Sequence, residues 1–77
     1  MLKKDELSNP NSCINKAADD EPVFVLRSSD ILAPEVVRRW ARLARSRDVT
    51  PAKVEEAFNL ADQMDRWQDE HSAKVPD

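Results

Sequence analysis

The chain of 77 residues has no glycine and no tyrosine, one cysteine, one histidine, and two each of tryptophan and phenylalanine. Each shortage removes a class of protein. Phosphate-cradling loops need the close backbone approach or positive φ that glycine supplies without steric cost, so nucleotide folds built on such loops are excluded. Cys13 has no second thiol with which to form an intrachain disulfide or to share a zinc ion. No apolar run approaches the roughly 20 residues that span a bilayer. The opening MLKKDELSNPNSC carries two lysines but no apolar core behind them, so it does not read as a secretory signal, and the expected compartment is the cytoplasm. A chain of this size is one domain at most. It buries only about 60% of the surface its unfolded form exposes, and with no covalent staple, self-association is the expected source of extra stability.

What the chain does have is charge, unevenly placed. Residues 1–26 carry −2, residues 27–47 carry +4 and residues 48–77 carry −5, together the net −3 of the whole. Five arginines fall between Arg38 and Arg47, whereas from Asp48 onward eight acidic residues stand against three basic ones. Two neighbouring segments of opposite sign can attract each other or reach for partners.

The hydrophobic pattern places those charges on helices. Residues 1–11 are polar, include Ser8-Asn9-Pro10-Asn11, and show no repeating apolar face, so they read as a disordered tail ahead of one small helical domain over 12–77. Ser12 can cap a short turn through Cys13 and Ile14 toward Ala17 and Ala18, which Asp19-Asp20-Glu21-Pro22 then ends. Val23-Phe24-Val25-Leu26 suits an extended conformation, either paired with its own copy or laid over the helices as an apolar strap. Pro34 is placed to open a helix running to about Arg47, with Ser28-Ser29-Asp30 as caps for the approach. On a helical wheel Val36, Val37, Trp40, Ala41, Leu43 and Ala44 fill an arc of roughly 160°, opposite Arg38, Arg39, Arg42 and Arg45. Thr50-Pro51 repeats the start signal, with the threonine hydroxyl as cap, for a second helix reaching about His71 or Ser72. The joint from Arg47 to Thr50 is short enough to fold the two helices into an antiparallel hairpin. In the second helix Val54, Ala57, Phe58, Leu60, Ala61, Met64 and Trp67 span about 180°, more than one facing helix covers. Lys74-Val75-Pro76-Asp77 does not continue it.

Three constellations bear on function. Arg38, Arg39, Arg42 and Arg45 form a ridge of forked donors suited to carboxylate or phosphate groups, and the same residues also serve as solvated helix formers, with Glu35 able to pair with Arg39. Leu60, Met64 and Trp67 cluster on one flank of the second helix as an oligomer or partner interface, although large indoles placed, as Trp40 and Trp67 are, on the apolar sides of helices are more often core. Cys13 and His71 are each single, so neither a nucleophile–base pair nor a metal cluster can be drawn, and adjacent carboxylates such as Glu55-Glu56 splay about 100° apart on a helix. The expectation is a non-enzymatic chain without metal or cofactor.

The stretch NSCINKAADDEPVFVLRSSDILAPEVVRRWARLA resembles a pattern in small uncharacterised proteins encoded by bacteriophages and prophages. In these an Asp-Glu-Pro, a short apolar run ending near a basic residue, an Asp, then Ala-Pro and a Trp-bearing helix follow in order. Here the corresponding residues are Asp20-Glu21-Pro22, Val23 to Arg27, Asp30, Ala33-Pro34 and Trp40. The Ala61 to Trp67 stretch and the Lys-Val-Pro-Asp ending are also similar. The resemblance carries no activity with it; it implies a setting in which small accessory proteins bind host proteins or defence components.

These features lead to a mainly α fold: an antiparallel helical hairpin with a short N-terminal helical turn and an extended apolar segment, in a homo-oligomer. The expected role is a phage-type accessory protein that binds a macromolecular partner, a host protein or defence component, through Arg38, Arg39, Arg42 and Arg45. The alternatives are a small DNA-binding transcriptional regulator using the basic helix, disfavoured by the acidic C-terminal half, and a purely structural subunit whose partner is itself. No membrane association is expected.

Overall fold

Pro34 and Pro51 lie where missing backbone N–H groups cost nothing, and in the computed structural model, which describes residues 1–75, the two long helices open at those positions. In chain order the elements are α1 (Lys3–Ser8), α2 (Cys13–Lys16), α3 (Ala33–Ser46) and α4 (Pro51–Glu70). Pro76 and Asp77, the last part of the expected non-helical ending, lie outside the described residues.

The hairpin turns on a residue that the sequence does not advertise. Asp48 has φ of 61°, in the left-handed region, and the amides that follow α3 close back onto its last carbonyls: Asp48 to Arg45 at 3.4 Å and Val49 to Ala44 at 3.1 Å. This pair of bonds is the Schellman ending normally made with glycine, which this chain lacks. Val49 then folds onto Ala41, Ala44 and Val54, the buried cluster that Ala57 and Phe58 also touch. Thr50 departs from the sequence reading. Its hydroxyl makes no capping bond; its carbonyl accepts from Lys53 and Val54, while proline at the first position has removed one donor that a cap would have served.

Alanines set the distance between α3 and α4. Ala33, Ala41 and Ala61 are fully buried and Ala44 nearly so, which lets the two backbones approach closely, and no large side chain is completely enclosed. The sequence reading put both tryptophans on core faces, but Trp40 is 49% and Trp67 38% exposed. One antiparallel neighbour covers about half of the α3 apolar arc and leaves the other half open.

Beyond the hairpin, Ile31 donates to the Lys74 carbonyl and Lys74 donates to the Ser29 carbonyl, both at 3.0 Å, forming an isolated parallel bridge between Asp30 and Lys74. Gln68 secures the same strand of chain from α4, its Nε2 donating to the carbonyls of Ser28 at 3.0 Å and Asp30 at 2.9 Å. The Asp30 carboxylate accepts from the Leu32 amide at 2.8 Å, so this residue ties off the approach turn as its position suggests.

Residues 1–11 contain the helix α1, where the sequence reading has a tail. Its anchor is polar rather than apolar: the Ser12 hydroxyl donates to the Glu6 carbonyl, and the Asn15 side-chain amide reaches the carbonyls of Glu6, Leu7 and Asn9 at 2.9 to 3.0 Å. Ser12 also accepts from the Asn15 amide at 3.3 Å, the cap expected for α2. Val23 to Leu26 forms no β pairing among the described residues, and Phe24 is 86% exposed.

Candidate functional site

The four ridge arginines occupy different environments because they sit at different angles from the α4 contact. Arg38 lies at its edge. The Nη2 group of Arg38 donates to Asp62 at 2.8 Å and to Asp65 at 2.5 Å, one turn apart on α4, so a single nitrogen with two hydrogens spans both carboxylates. The bonds to Asp65 first and Asp62 second raise the guanidinium above its ordinary value, opposed by a smaller effect of burial. This pairing joins the basic helix to the acidic one.

Arg45 occupies the same edge one turn from the joint, with its guanidinium carbon 5.1 Å from the Phe58 ring centre. Stacking of this kind uses the face of the ion and leaves its N–H edge able to donate. Arg39 pairs with Glu35 at 2.9 Å along the helix, the i, i+4 contact read from the sequence, and both side chains remain largely exposed. Arg42 points away from α4 and has no ion pair among the described residues. The ridge therefore divides into Arg38, turned to the hairpin, and an outward set of Arg39, Arg42 and Arg45.

The second candidate group divides as well. Met64 is buried, Leu60 half-buried and Trp67 partly exposed. His71 lies flat on Trp67, ring centres 3.9 Å apart and planes 9° from parallel. Its Nδ1 is 2.8 Å from the Trp67 carbonyl, which can only accept, so this nitrogen carries the proton. That bond sets the imidazole against the indole face.

The edge marked by Arg38–Asp65 and Arg45–Phe58 also fixes what the opposite edge presents. By helical spacing Val36, Trp40 and Leu43 of α3 and Leu60 and Trp67 of α4 fall on that side of the hairpin, while Met64 is buried and Ala57 packs against Ala41, Ala44 and Val54. Val36 is 42% and Leu43 66% exposed. The width of the apolar arcs signals such a surface, but the sequence does not say which part of each arc faces inward. Asp62, Asp65 and Gln68 were not singled out by sequence; the i, i+3 spacing of the two aspartates is a signal only once their level opposite Arg38 is known.

Cys13 is exposed at the start of α2. A depression of about 540 Å³ at the joint is lined in part by Arg45, Asp48, Val54, Glu55 and Phe58, an apolar floor with charges of both signs at its rim. Among the described residues no group of three potential metal-ligating side chains comes together, and no helix is long and apolar enough to cross a membrane. Comparison of the chain with family models, curated proteins and solved structures finds no match.

Proposed function

We propose that this chain is a non-catalytic binding protein that takes an acidic face of a partner protein on the outer side of α3, through Arg39, Arg42 and Arg45. The observation that carries the reading is the division of the ridge. Arg38 is committed to Asp62 and Asp65, whereas Arg42 faces solvent without an ion pair among the described residues and Arg45 keeps its donor edge open. Guanidinium groups held at successive turns of one helix match carboxylates by forked hydrogen bonds, and Arg45 is further steadied by its ring contact. The resemblance to phage-encoded accessory proteins supports a bacterial host protein or defence component as the partner.

The test is affinity capture from bacterial lysate with the native chain and with a form in which Arg39, Arg42 and Arg45 are alanine and Arg38 is kept. The reading expects a discrete protein retained by the native chain and lost from the variant. Equal retention by both forms, or retention by neither, overturns it. A shift of duplex DNA at low salt that fades steeply as salt rises would replace it with the regulator reading.

A further inference from the structure

We infer that the open apolar side of the hairpin is the contact surface for a second copy of this chain, with α3 of one copy lying against α4 of the other. This is independent of the outward arginines. Three observations converge on it.

The first is surface. The chain exposes 6386 Å², whereas a compact folded protein of 8.8 kDa exposes about 4,800 Å². Its radius of gyration is 13.3 Å against about 11.5 Å for a compact chain of this length. The excess of roughly 1,600 Å² belongs to the whole chain, including an N-terminal segment in which Leu2, Leu7, Val23 and Phe24 are more than half exposed, and the open side shares in it through Val36, Trp40 and Leu43.

The second is continuity. Val36, Trp40 and Leu43 recur at i, i+4 and i+7, the spacing of a stripe along one helix face. The antiparallel pairing of Arg38 with Asp62 and Asp65 sets Trp40 at the level between Leu60 and Met64. The stripe and the α4 flank therefore lie on one side, with Trp67, stacked on His71, at the far end. Tryptophan is enriched among the residues that dominate protein interfaces.

The third is charge, which selects the occupant and its orientation. The rim of the open side carries Arg47 at the end of α3 and, along α4, Glu56 and Glu70 together with Lys53, which is in line with Leu60 and Trp67. Placing α3 on α3 of a second copy sets arginine against arginine. Rotation about a two-fold axis parallel to the helices instead sets α3 on α4 and brings Arg47 of one copy to the level of Glu56 in the other. The result is an antiparallel four-helix arrangement whose outward arginines lie on its outside faces.

The mass in solution tests this, by light scattering behind size exclusion at about 100 µM, with helix content followed by circular dichroism. The native chain is expected at twice its monomer mass, and L43E and W40E, both at exposed positions, at monomer mass with native helix content. Arg47→Glu is expected to weaken the dimer at least tenfold, and the double variant R47E/E56R to restore most of that loss. A monomeric native chain overturns the inference. So does an unchanged dimer in both L43E and W40E, and so does a double variant no tighter than R47E alone. If L43E and W40E both lose helix, the charge-reversal pair decides the matter by itself, since those side chains lie at the rim.

Discussion

The amide of Val49 donates to the carbonyl of Ala44 at 3.1 Å, and the residue between the end of α3 and this bond, Asp48, has to adopt φ of 61° to allow it. For a residue with a Cβ this conformation costs about 1 kcal/mol relative to glycine, and a carboxylate there also faces the negative end of the helix dipole. The hairpin thus folds despite its joint, drawn by the contact of Val49 with Ala44 and Val54.

Replacing Asp48 with glycine relieves both costs. D48G should gain about 1 kcal/mol, seen as a rise in melting temperature of about 4–8 °C for a domain of this size. Asp48→Ala removes the same charge but keeps a Cβ, so the difference between the two variants isolates the backbone contribution. Equal melting temperatures for D48G and D48A would show that the left-handed conformation is not what limits the joint.

Arg38 supplies the electrostatic link across the hairpin, and its two partners are about half exposed, so the pairing belongs to the modest class of surface networks. Arg38→Ala should destabilise by about 1 kcal/mol at low salt, and the difference should shrink in 1 M NaCl, where the Debye length falls to about 3 Å. Because one nitrogen makes both bonds, the three-donor ammonium of Arg38→Lys should keep more than half of the effect. The raised guanidinium value means that the contribution is fully present below the unfolded-state value and is lost only as pH rises through the higher folded one. Denaturant titrations from neutral to moderately basic pH should therefore give a constant difference between native and R38A chains.

How much of this was visible in the residues depends on the range of the interaction. Local signals carried: Pro34 and Pro51 marked both helix starts, Ser12 capped α2, and Glu35 paired with Arg39. The antiparallel pairing of α3 with α4 followed from the short joint. Long-range register did not, because nothing within one helix says which half of a 160° apolar arc meets a neighbour; Trp40 and Leu43 were on the right face and on its uncovered half. The outward or inward choice among the arginines is the same problem, settled at Arg38 by Asp62 and Asp65 some 24 to 27 residues away. Asp48 escaped notice because side-chain pattern carries no mark of backbone handedness in a chain without glycine.

The close approach of α3 and α4 rests on Ala41 and Ala61, both fully buried. Ala41→Leu forces three extra carbons into that contact and should cost about 1–3 kcal/mol. Ala41→Ser, nearly the same size, should cost less, since its hydroxyl can bond back to a carbonyl one turn earlier. If leucine is accommodated without loss in a chemical denaturation curve, the helices are not as tightly apposed as the burial of these alanines requires.

Gln68 offers the sharpest check on the segment between Arg27 and α3, because one side-chain amide group holds two backbone carbonyls, those of Ser28 and Asp30. Leucine at this position removes both donors at similar size and should cost about 1–2 kcal/mol, the loss of two hydrogen bonds in a partly buried setting. Gln68→Glu is expected to be worse at neutral pH, since a carboxylate would face the two carbonyls it replaces a donor for. The parallel bridge between Asp30 and Lys74 should open with it, as the amides of Ile31 and Lys74 depend on the same stretch of chain. Hydrogen exchange should accordingly quicken at Ile31 and Lys74 in both variants while the amides of Ala41 and Ala44 in the helical hairpin keep their protection. Faster exchange throughout α3 would mean instead that Gln68 supports the whole fold, and unchanged exchange at Ile31 would mean that the loop is held by the bridge alone.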